Sequence, residues 1–166
     1  QPVAGTETNN TGSTTQPSTG TTNNAASTTK PTSTYNKLQQ RIDNAKSGSV
    51  IVLNANYKFY SKSGDKMGIR IFKDITLKGN GIIWIDGSGV ARGLSIGEGC
   101  KVTLENIIFK NCYCKDGNGG AIYLAKKCTL TVKNCQFKNN KVYNRNGAAI
   151  YGNEFSKIYI HKSKLR

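Results

Sequence analysis

Short apolar runs alternate with turns along most of the chain, from about residue 49 onward. The runs are rich in β-branched residues and are separated by Gly, Asn and Lys; they include 50–53, 69–72, 75–77 and 82–85. Such runs are too short for helices, and their turn-rich boundaries predict strand after strand. The chain is therefore expected to be all-β, apart from one segment near its start.

That segment lies at about 36–46, where three apolar residues recur at i, i+4 and i+7, namely Leu38, Ile42 and Ala45. This spacing places them on one side of a short amphipathic helix. Asn36 with Gln39 matches a capping box at the start of the helix, and Gly48 suits its end.

The segment 101–128 is repeated in 129–156, which follows it directly, and a third copy begins at Lys157. A repeat of this length, with strand-like runs and no helical period, predicts a solenoid whose coils stack about 4.8 Å apart. We expect a short right-handed parallel β-helix of about four full coils and a partial one, closed at its N-terminal end by the helix. The predicted stacking core consists of Leu104, Phe109, Ile122, Val132, Phe137, Ile150, Ile160 and Leu165.

Residues 1–33 differ in composition, since most are Thr, Ser, Asn, Gly, Gln or Pro and none is aromatic. Such a segment buries too little apolar surface to offset its loss of conformational entropy, so it should lack a fold of its own. An N-x-Thr acceptor, Asn9, lies here, and Thr-rich segments of secreted proteins are often glycosylated. Three interpretations stay open: a glycosylated stalk, a segment docked on a neighbouring subunit, or an unmodified leader. The predicted β-helix then occupies 34–166.

Five phrases resemble the β-helix repeats of adhesin-like surface proteins of methanogenic archaea: 75–81 (ITLKGNG), 85–89 (IDGSG), 109–111 (FKN), 119–123 (GGAIY) and 137–140 (FKNN). The combination of GGAI with FxxN is also similar to that in chlamydial polymorphic outer-membrane adhesins. The segment 38–53 resembles the helical cap of the archaeal group, so the resemblance covers about residues 35–166. It implies a parallel β-helix at the cell surface with an adhesive role. The chain departs from those repeats at Cys112, in place of Asn, and at Ala148, in place of Gly.

Enzymes with this fold need clustered carboxylates to act as acid and base or to bind calcium. The Asp residues of the chain are scattered, and no two carboxylates coincide in adjacent coils at the period of the repeat; they are Asp43, Asp65, Asp74, Asp86 and Asp116. We therefore expect no catalytic residue and no enzymatic activity. Because His161 is the single histidine, a His-based metal site or triad cannot form, and no metal or cofactor is expected. The alternative, a polysaccharide lyase or hydrolase, stays open.

Five cysteines, an odd number, all lie in the repeat region. Cys100 and Cys128 are one repeat apart, in one column of neighbouring coils, and are the candidates for a disulfide. Cys135 occupies an interior column and is expected to be a buried thiol. A second bridge between it and the corner at Cys112 and Cys114 stays open.

The charge is lopsided, with 24 Lys and Arg against nine Asp and Glu and a formal net charge of +15. The lysines are spread over outward positions without an Arg-rich or aromatic cluster, so no nucleic acid is expected as a partner. Attraction should be to acidic glycans, acidic cell-wall polymers or anionic surfaces, and a merely solubilising role stays open. Purely apolar runs such as 82–85 are only a few residues long, so no membrane insertion is expected.

Residues 157–166 begin a coil with the right interior pattern and then stop, without the pattern of a capping helix. An uncovered coil exposes unpaired strand edges, and a head-to-tail contact that does not close produces a filament. We therefore expect a secreted protein, with Gln1 left by removal of a signal segment, that assembles with itself into a fimbria-like surface filament. One domain of a longer tethered adhesin stays open as the alternative.

Overall fold

The structure is a computed structural model that describes residues 30–60 and 65–166. The predictions for residues 1–29, including glycosylation at Asn9, lie outside the described residues. The described elements, in chain order, are β1 Thr32–Thr34, α1 Tyr35–Asn44, β2 Ser49–Leu53, β3 Asn56–Lys58, β4 Ile69–Ile71, β5 Ile75–Asp86, β6 Leu94–Ile96, β7 Lys101–Lys110, β8 Tyr113–Cys114, β9 Ile122–Leu124, β10 Thr129–Lys133, β11 Gln136–Lys138, β12 Lys141–Val142, β13 Ile150–Gly152, β14 Lys157–His161 and β15 Lys164–Leu165.

Parallel pairing joins most of these strands into three faces, and β8 pairs separately with β12. Face A consists of β2, the first parts of β5 and β7, β10 and β14. Face B consists of β3, the second parts of β5 and β7, β11 and β15, with β1 paired to β3 at its upper edge. Face C consists of β4, β6, β9 and β13.

The chain passes through the three faces in the same order in each coil. Coils one to four run from β2 to β4, β5 to β6, β7 to β9 and β10 to β13, and β14 begins coil five. Every pairing between coils is parallel, and consecutive coils are hydrogen-bonded to each other. The predicted parallel β-helix is confirmed.

The interior consists of columns to which each coil contributes one side chain. Three of them hold the residues expected from the repeat: Leu104–Val132–Ile160, Phe109–Phe137–Leu165 and Ile122–Ile150. The Phe109 and Phe137 rings are stacked, with centroids 5.2 Å apart. Ile160 and Leu165 are 44% and 46% exposed, because no coil of the described chain packs below coil five.

In coils three to five, a single residue in the left-handed region turns the chain from face A to face B. Asn106 and Asn134 hold this position in coils three and four, with φ of 60° and 49°. Asn tolerates this conformation better than most residues, and the Asn134 side-chain amide donates to Asn106 Oδ1 at 2.8 Å. Lys162 holds the position in coil five with φ of 47°. The repeated Asn therefore adopts the backbone conformation that the turn needs and also forms a side-chain hydrogen bond between coils.

Helix α1 closes the upper end of the interior by burying three side chains, those of Tyr35, Leu38 and Ile42. It spans Tyr35–Asn44, and its N-cap is Thr34, whose hydroxyl accepts from the Lys37 N–H at 3.2 Å. The predicted capping box at Asn36 and Gln39 is wrong. Strand β1 delivers the chain to Thr34 in an extended conformation, and this is the backbone geometry that an N-cap needs.

The C-terminal end of α1 is held by a lysine from coil one rather than by a glycine. The Lys73 ammonium donates to three carbonyl oxygens at 2.8–3.0 Å, those of Ile42, Asp43 and Ala45. A cation at this end also interacts favourably with the helix dipole. Gly48, the predicted stop, lies beyond the helix in a turn with φ of 86°, where its N–H donates to the Asp74 carbonyl at 2.6 Å.

Two sets of hydrogen bonds cover strand edges at the upper end of the solenoid. The Gln39 side-chain amide donates to the Arg70 carbonyl at 2.8 Å and accepts from the Arg70 N–H at 2.7 Å, as a neighbouring strand would. Strand β1 pairs with Asn56–Lys58, so Thr32 and Ser33 of the predicted 1–33 tail are part of the solenoid. Unpaired edges are templates for further chains, and these contacts occupy two of them.

Candidate binding surfaces

Asp86 illustrates what the acidic side chains do in this structure. Its carboxylate is largely buried, and Oδ1 accepts from the Ser88 N–H at 2.8 Å and from the Asn111 side-chain amide at 3.3 Å. The Lys110 ammonium lies 3.6 Å from Oδ2. These contacts shape the turn after face B, which is the ordinary structural use of an Asp followed by Gly.

Six other acidic side chains are also bonded within the solenoid. Their partners are Gln39 for Asp43, Arg70 for Asp65, the Lys101 N–H for Asp74, Lys127 for Glu98, Lys78 for Glu105 and Lys126 for Glu154. Within residues 30–60 and 65–166, no three His, Cys, Asp or Glu side chains come together as a metal-binding group. The same residues contain no helix long and apolar enough to span a membrane.

Basic side chains dominate the outside of the last two coils. The stretch 129–166 contains one acidic residue, Glu154, and eight exposed basic ones. The basic residues are Lys133, Lys138, Lys141, Arg145, Lys157, Lys162, Lys164 and Arg166. This concentration gives the lower part of the solenoid a positive potential, which attracts anionic partners.

Part of this charge forms a strip on face B. Lys110 pairs in register with Lys138, and the Arg166 N–H donates to the Phe137 carbonyl, which places Arg166 beneath Lys138. Lys164 lies in the adjacent outward file, in register with Gln136. We call these four residues, Lys110, Lys138, Lys164 and Arg166, the basic strip.

Trp84 and Asp86 orient the uppermost member of the strip. The Lys110 ammonium lies 4.0 Å from the centroid of the Trp84 ring, a cation–π contact, as well as 3.6 Å from the Asp86 carboxylate. Trp84 and Ile108 pair in register across coils two and three. Lys110 is therefore held in place at the surface, with about a third of its side chain exposed.

A groove of about 200 Å³ lies on face C. Its lining includes the sulfur side chain of Met67 and the rings of Phe72 and Tyr123. Phe72 is 70% exposed and rests on Gly97, where a Cβ atom would come within 2.5 Å of the ring. The residues that line this groove include no carboxylate, although Asp65 pairs with Arg70 at its edge.

Arg92, beneath the groove, is 2% exposed and has no carboxylate partner among the described residues. Its guanidinium donates to the Gly119 carbonyl at 2.8 Å and to the Asn118 carbonyl at 2.7 Å, and it lies 5.0 Å from the Tyr123 ring centroid. It also donates to the Cys114 sulfur at 3.0 Å. Arg92 thus ties coil two to the glycine-rich loop of coil three.

All five cysteines are buried, and this structure contains no disulfide between them. Cys100 and Cys128 lie at equivalent positions of adjacent coils, where the Thr129 N–H donates to the Cys100 carbonyl at 3.0 Å. Burial raises the pKa of both thiols, and it raises the pKa of Cys112 to about 12 and that of Cys135 to about 11. The Cys100–Cys128 bridge stays a prediction; alkylation before and after reduction, read by mass spectrometry, tests it.

His161 lies on face A, in the outward file that also contains Glu105 and Lys133. The His161 side chain is exposed to solvent, as that of Lys133 is. Asp116, the remaining described acidic residue, is exposed in the loop after β8.

Sequence reasoning missed three residues that organise these surfaces: Arg92, Phe72 and Trp84. For Arg92 a signal exists, because Leu94 pairs with Ile122 and Arg92 therefore takes the position of Gly120. An arginine in a column of small residues, next to a strand, is a candidate for a buried structural charge. Phe72 carries no comparable signal, since an aromatic residue just after a strand can face either side. Trp84 lies within β5 between the inward Ile83 and Ile85, so alternation indicates an outward ring but not its contact with Lys110.

The family model described as the right handed beta helix region matches residues 41–165, which is most of the chain. No curated protein and no solved structure matches the sequence.

Proposed function

Because the chain belongs to the right-handed β-helix family, we propose that it is a non-enzymatic, extracellular adhesive protein that binds acidic polymers. The fold is shared by adhesins and by polysaccharide-degrading enzymes, so the proposal rests on the surface rather than on the fold. A right-handed solenoid offers long flat faces whose outward residues are free of packing constraints. On this chain those faces are strongly basic in their lower part.

The main observation behind the proposal is that most of the acidic side chains are bonded within the solenoid while many basic side chains are exposed. Seven carboxylates are engaged in turns, ion pairs or hydrogen bonds. In contrast, the eight basic residues of 129–166 are all exposed, and this stretch contains a single acidic residue. Catalysis of glycoside cleavage needs a pair of carboxylates flanking the bond. Binding of an acidic polymer needs exposed cations, and the stretch 129–166 has them.

Retention on an immobilised acidic polysaccharide tests the proposal. The full chain should bind alginate beads at about 50 mM NaCl and elute as the salt rises toward about 500 mM, since exposed charges are screened at that ionic strength. Neutral dextran beads are the control. Equal retention on both, or retention on alginate that does not respond to salt, would contradict the proposal.

Secretion and end-to-end assembly into a filament belong to the same proposal. Interior side chains of coil five are exposed, and a coil stacked on β14 and β15, from a second copy or from further chain, would cover them. Light scattering of the purified chain over a range of concentrations tests assembly of copies. A constant monomer mass would remove the filament from the proposal without affecting the binding of acidic polymers.

The second candidate, a carbohydrate-active enzyme, has the face C groove in its favour, because an exposed aromatic ring in a groove suits a sugar ring. Release of reducing or unsaturated sugar ends from an acidic polysaccharide would identify such an activity. We expect none, since the groove lining supplies no pair of carboxylates.

A further inference from the structure

We propose that the basic strip on face B binds a linear acidic polysaccharide that lies parallel to the solenoid axis. This inference rests on the proposed function and adds the face, the direction of the polymer and the kind of polymer. Its physical basis is the register of the coils, which turns one basic residue per coil into a row.

The row has the spacing of stacked strands. Lys110 and Lys138 are register partners, and Arg166 follows in coil five. Neighbouring strands lie about 4.8 Å apart, so the backbone positions of these cations repeat at that distance along the axis. An extended polymer with one carboxylate on each sugar ring presents anions at regular intervals of a similar size.

The Lys110 side chain, at the upper end of the strip, is held in one conformation before a ligand binds. Trp84 and Asp86 hold the Lys110 ammonium, so little side-chain freedom remains to be lost on binding. Within the described strands of face B, Asp86 is the single acidic residue, and it is occupied by Lys110, Ser88 and Asn111. A polyanion along the strip below Lys110 therefore meets cations without a competing acidic side chain.

Face A is less suited to the same ligand. Its outward file contains Lys78, Glu105, Lys133 and His161 in register, and the Lys78–Glu105 ion pair measures 3.1 Å. A polyanion along this file would meet Glu105 between two lysines. A second outward file of face A consists of uncharged side chains: Val50, Thr76, Thr103, Thr131 and Tyr159. In the third, Thr129 separates Lys101 from Lys157, so its cations do not follow each other in consecutive coils.

A nucleic acid fits the strip less well than a polysaccharide does. Phosphates of one strand of duplex DNA repeat about every 3.4 Å along the axis, out of step with the coils. Single strands bind by stacking bases on exposed aromatic rings. Trp84, the aromatic residue beside the strip, lies under the Lys110 ammonium.

Two double variants of equal charge test the inference. Lys138→Gln with Lys164→Gln removes two cations from the strip, and the control variant, Lys101→Gln with Lys115→Gln, removes two exposed cations that lie outside both the strip and the stretch 129–166. Binding of soluble alginate oligomers is measured by titration calorimetry at about 50 mM NaCl, and circular dichroism checks the fold of each variant. We expect the strip variant to lose affinity by about tenfold and its salt slope to fall, and the control variant to change less than about twofold.

Equal losses in the two variants would show that net charge alone matters, which overturns the strip and leaves the proposed function standing. Absence of alginate binding by the unaltered chain would overturn the proposed function and the strip together. Affinity should rise with oligomer length until the oligomer spans the coils of the strip; a single uronate ring that binds as well as a long oligomer contradicts the axial direction. Tighter binding of oligothymidine than of alginate, lost in the strip variant, would assign the strip to nucleic acid instead.

Discussion

The first two coils and the last two share one interior but differ in their exteriors. In both halves, apolar residues pair in register along the axis, as Ile75 does with Val102 and Leu130 with Ile158. Besides the buried Arg92, the described residues up to 100 carry nine basic and five acidic side chains, and all five acidic ones are bonded. The stretch 129–166 carries eight basic residues and one acidic one.

The difference shows which positions the stacking constrains. An inward side chain contacts the coils above and below it, so a change of volume disturbs both neighbours. An outward side chain contacts mainly water, and a change there alters stability by a few tenths of a kcal/mol or less. Surface charge is therefore free to vary along the solenoid while the interior repeats.

The largest effect should come from breaking the shared interior. Phe109→Ala should lower the free energy of unfolding by about 3–5 kcal/mol, because it leaves a cavity between coils two and four. Urea denaturation measures the loss. Lys138→Ala, an outward residue of coil four, is the control and should change the free energy by less than about 0.5 kcal/mol. Similar losses from both changes would show that interior and exterior do not differ in the way described.

The second-largest effect is expected from removing the contacts by which Arg92 joins coil two to coil three. Arg92→Met should lower the free energy of unfolding by about 2–4 kcal/mol, since the buried carbonyl of Gly119 and the partly buried carbonyl of Asn118 lose their donor. Arg92→Lys keeps the charge but not the planar fork, so it should recover only part of the loss. Denaturation of both variants checks this. Full recovery by lysine would show that charge, and not the geometry of the guanidinium, holds the loop.

Alkaline pH should weaken the interior of the lower coils. Burial raises the pKa of Cys135 to about 11, against about 8.5 for a free thiol, so the folded chain retains a proton that the unfolded chain loses. The stability that this proton contributes is complete below about pH 8.5 and is lost as pH rises toward 11, by about 1–2 kcal/mol at pH 10. Urea midpoints across this range measure it in the native chain and in Cys135→Ala. Identical pH slopes for the two proteins would contradict the buried, protonated thiol.

The smallest effect should come from making coil five more like the coils above it. Lys162→Asn places at φ of 47° a residue that accepts this conformation, and it can extend the Asn106–Asn134 ladder. We expect a gain of about 1 kcal/mol in the free energy of unfolding, by thermal denaturation. Lys162→Ala removes the same charge without relieving the backbone, so it should bring no gain. A gain of equal size from alanine would mean that charge repulsion, not backbone strain, was relieved.

The fold was predictable because its repeat is written directly in the chain. Aligning 101–128 with 129–156 brings Phe109 into one column with Phe137, and the structure pairs them. Helix α1 was predictable for the same kind of reason, from the spacing of Leu38 and Ile42. Its N-terminal boundary was not, because Thr34 becomes the cap only through the pairing of β1 with β3, which lies beyond the helix and the next strand of the chain.

The candidate surfaces were predictable only in outline. The excess of lysine indicated an anionic partner, but a row of cations needs outward positions in consecutive coils, which net charge does not report. The basic strip includes Arg166 and Lys164, whose places depend on the pairing of β15 with β11. Arg92 was read as one basic residue among 24, although it lies in the interior of the molecule.

The order of residues along this chain is enough to establish the coil, its period and the columns of its interior, because hydrophobic burial acts on a pattern that repeats locally. The places of the charged and aromatic side chains depend on contacts between residues far apart in sequence. Such contacts hold the Lys110 ammonium against Trp84 and turn the Arg92 guanidinium inward to the loop at Gly119. They arise only when the coils stack, since stacking brings together groups that no local pattern relates.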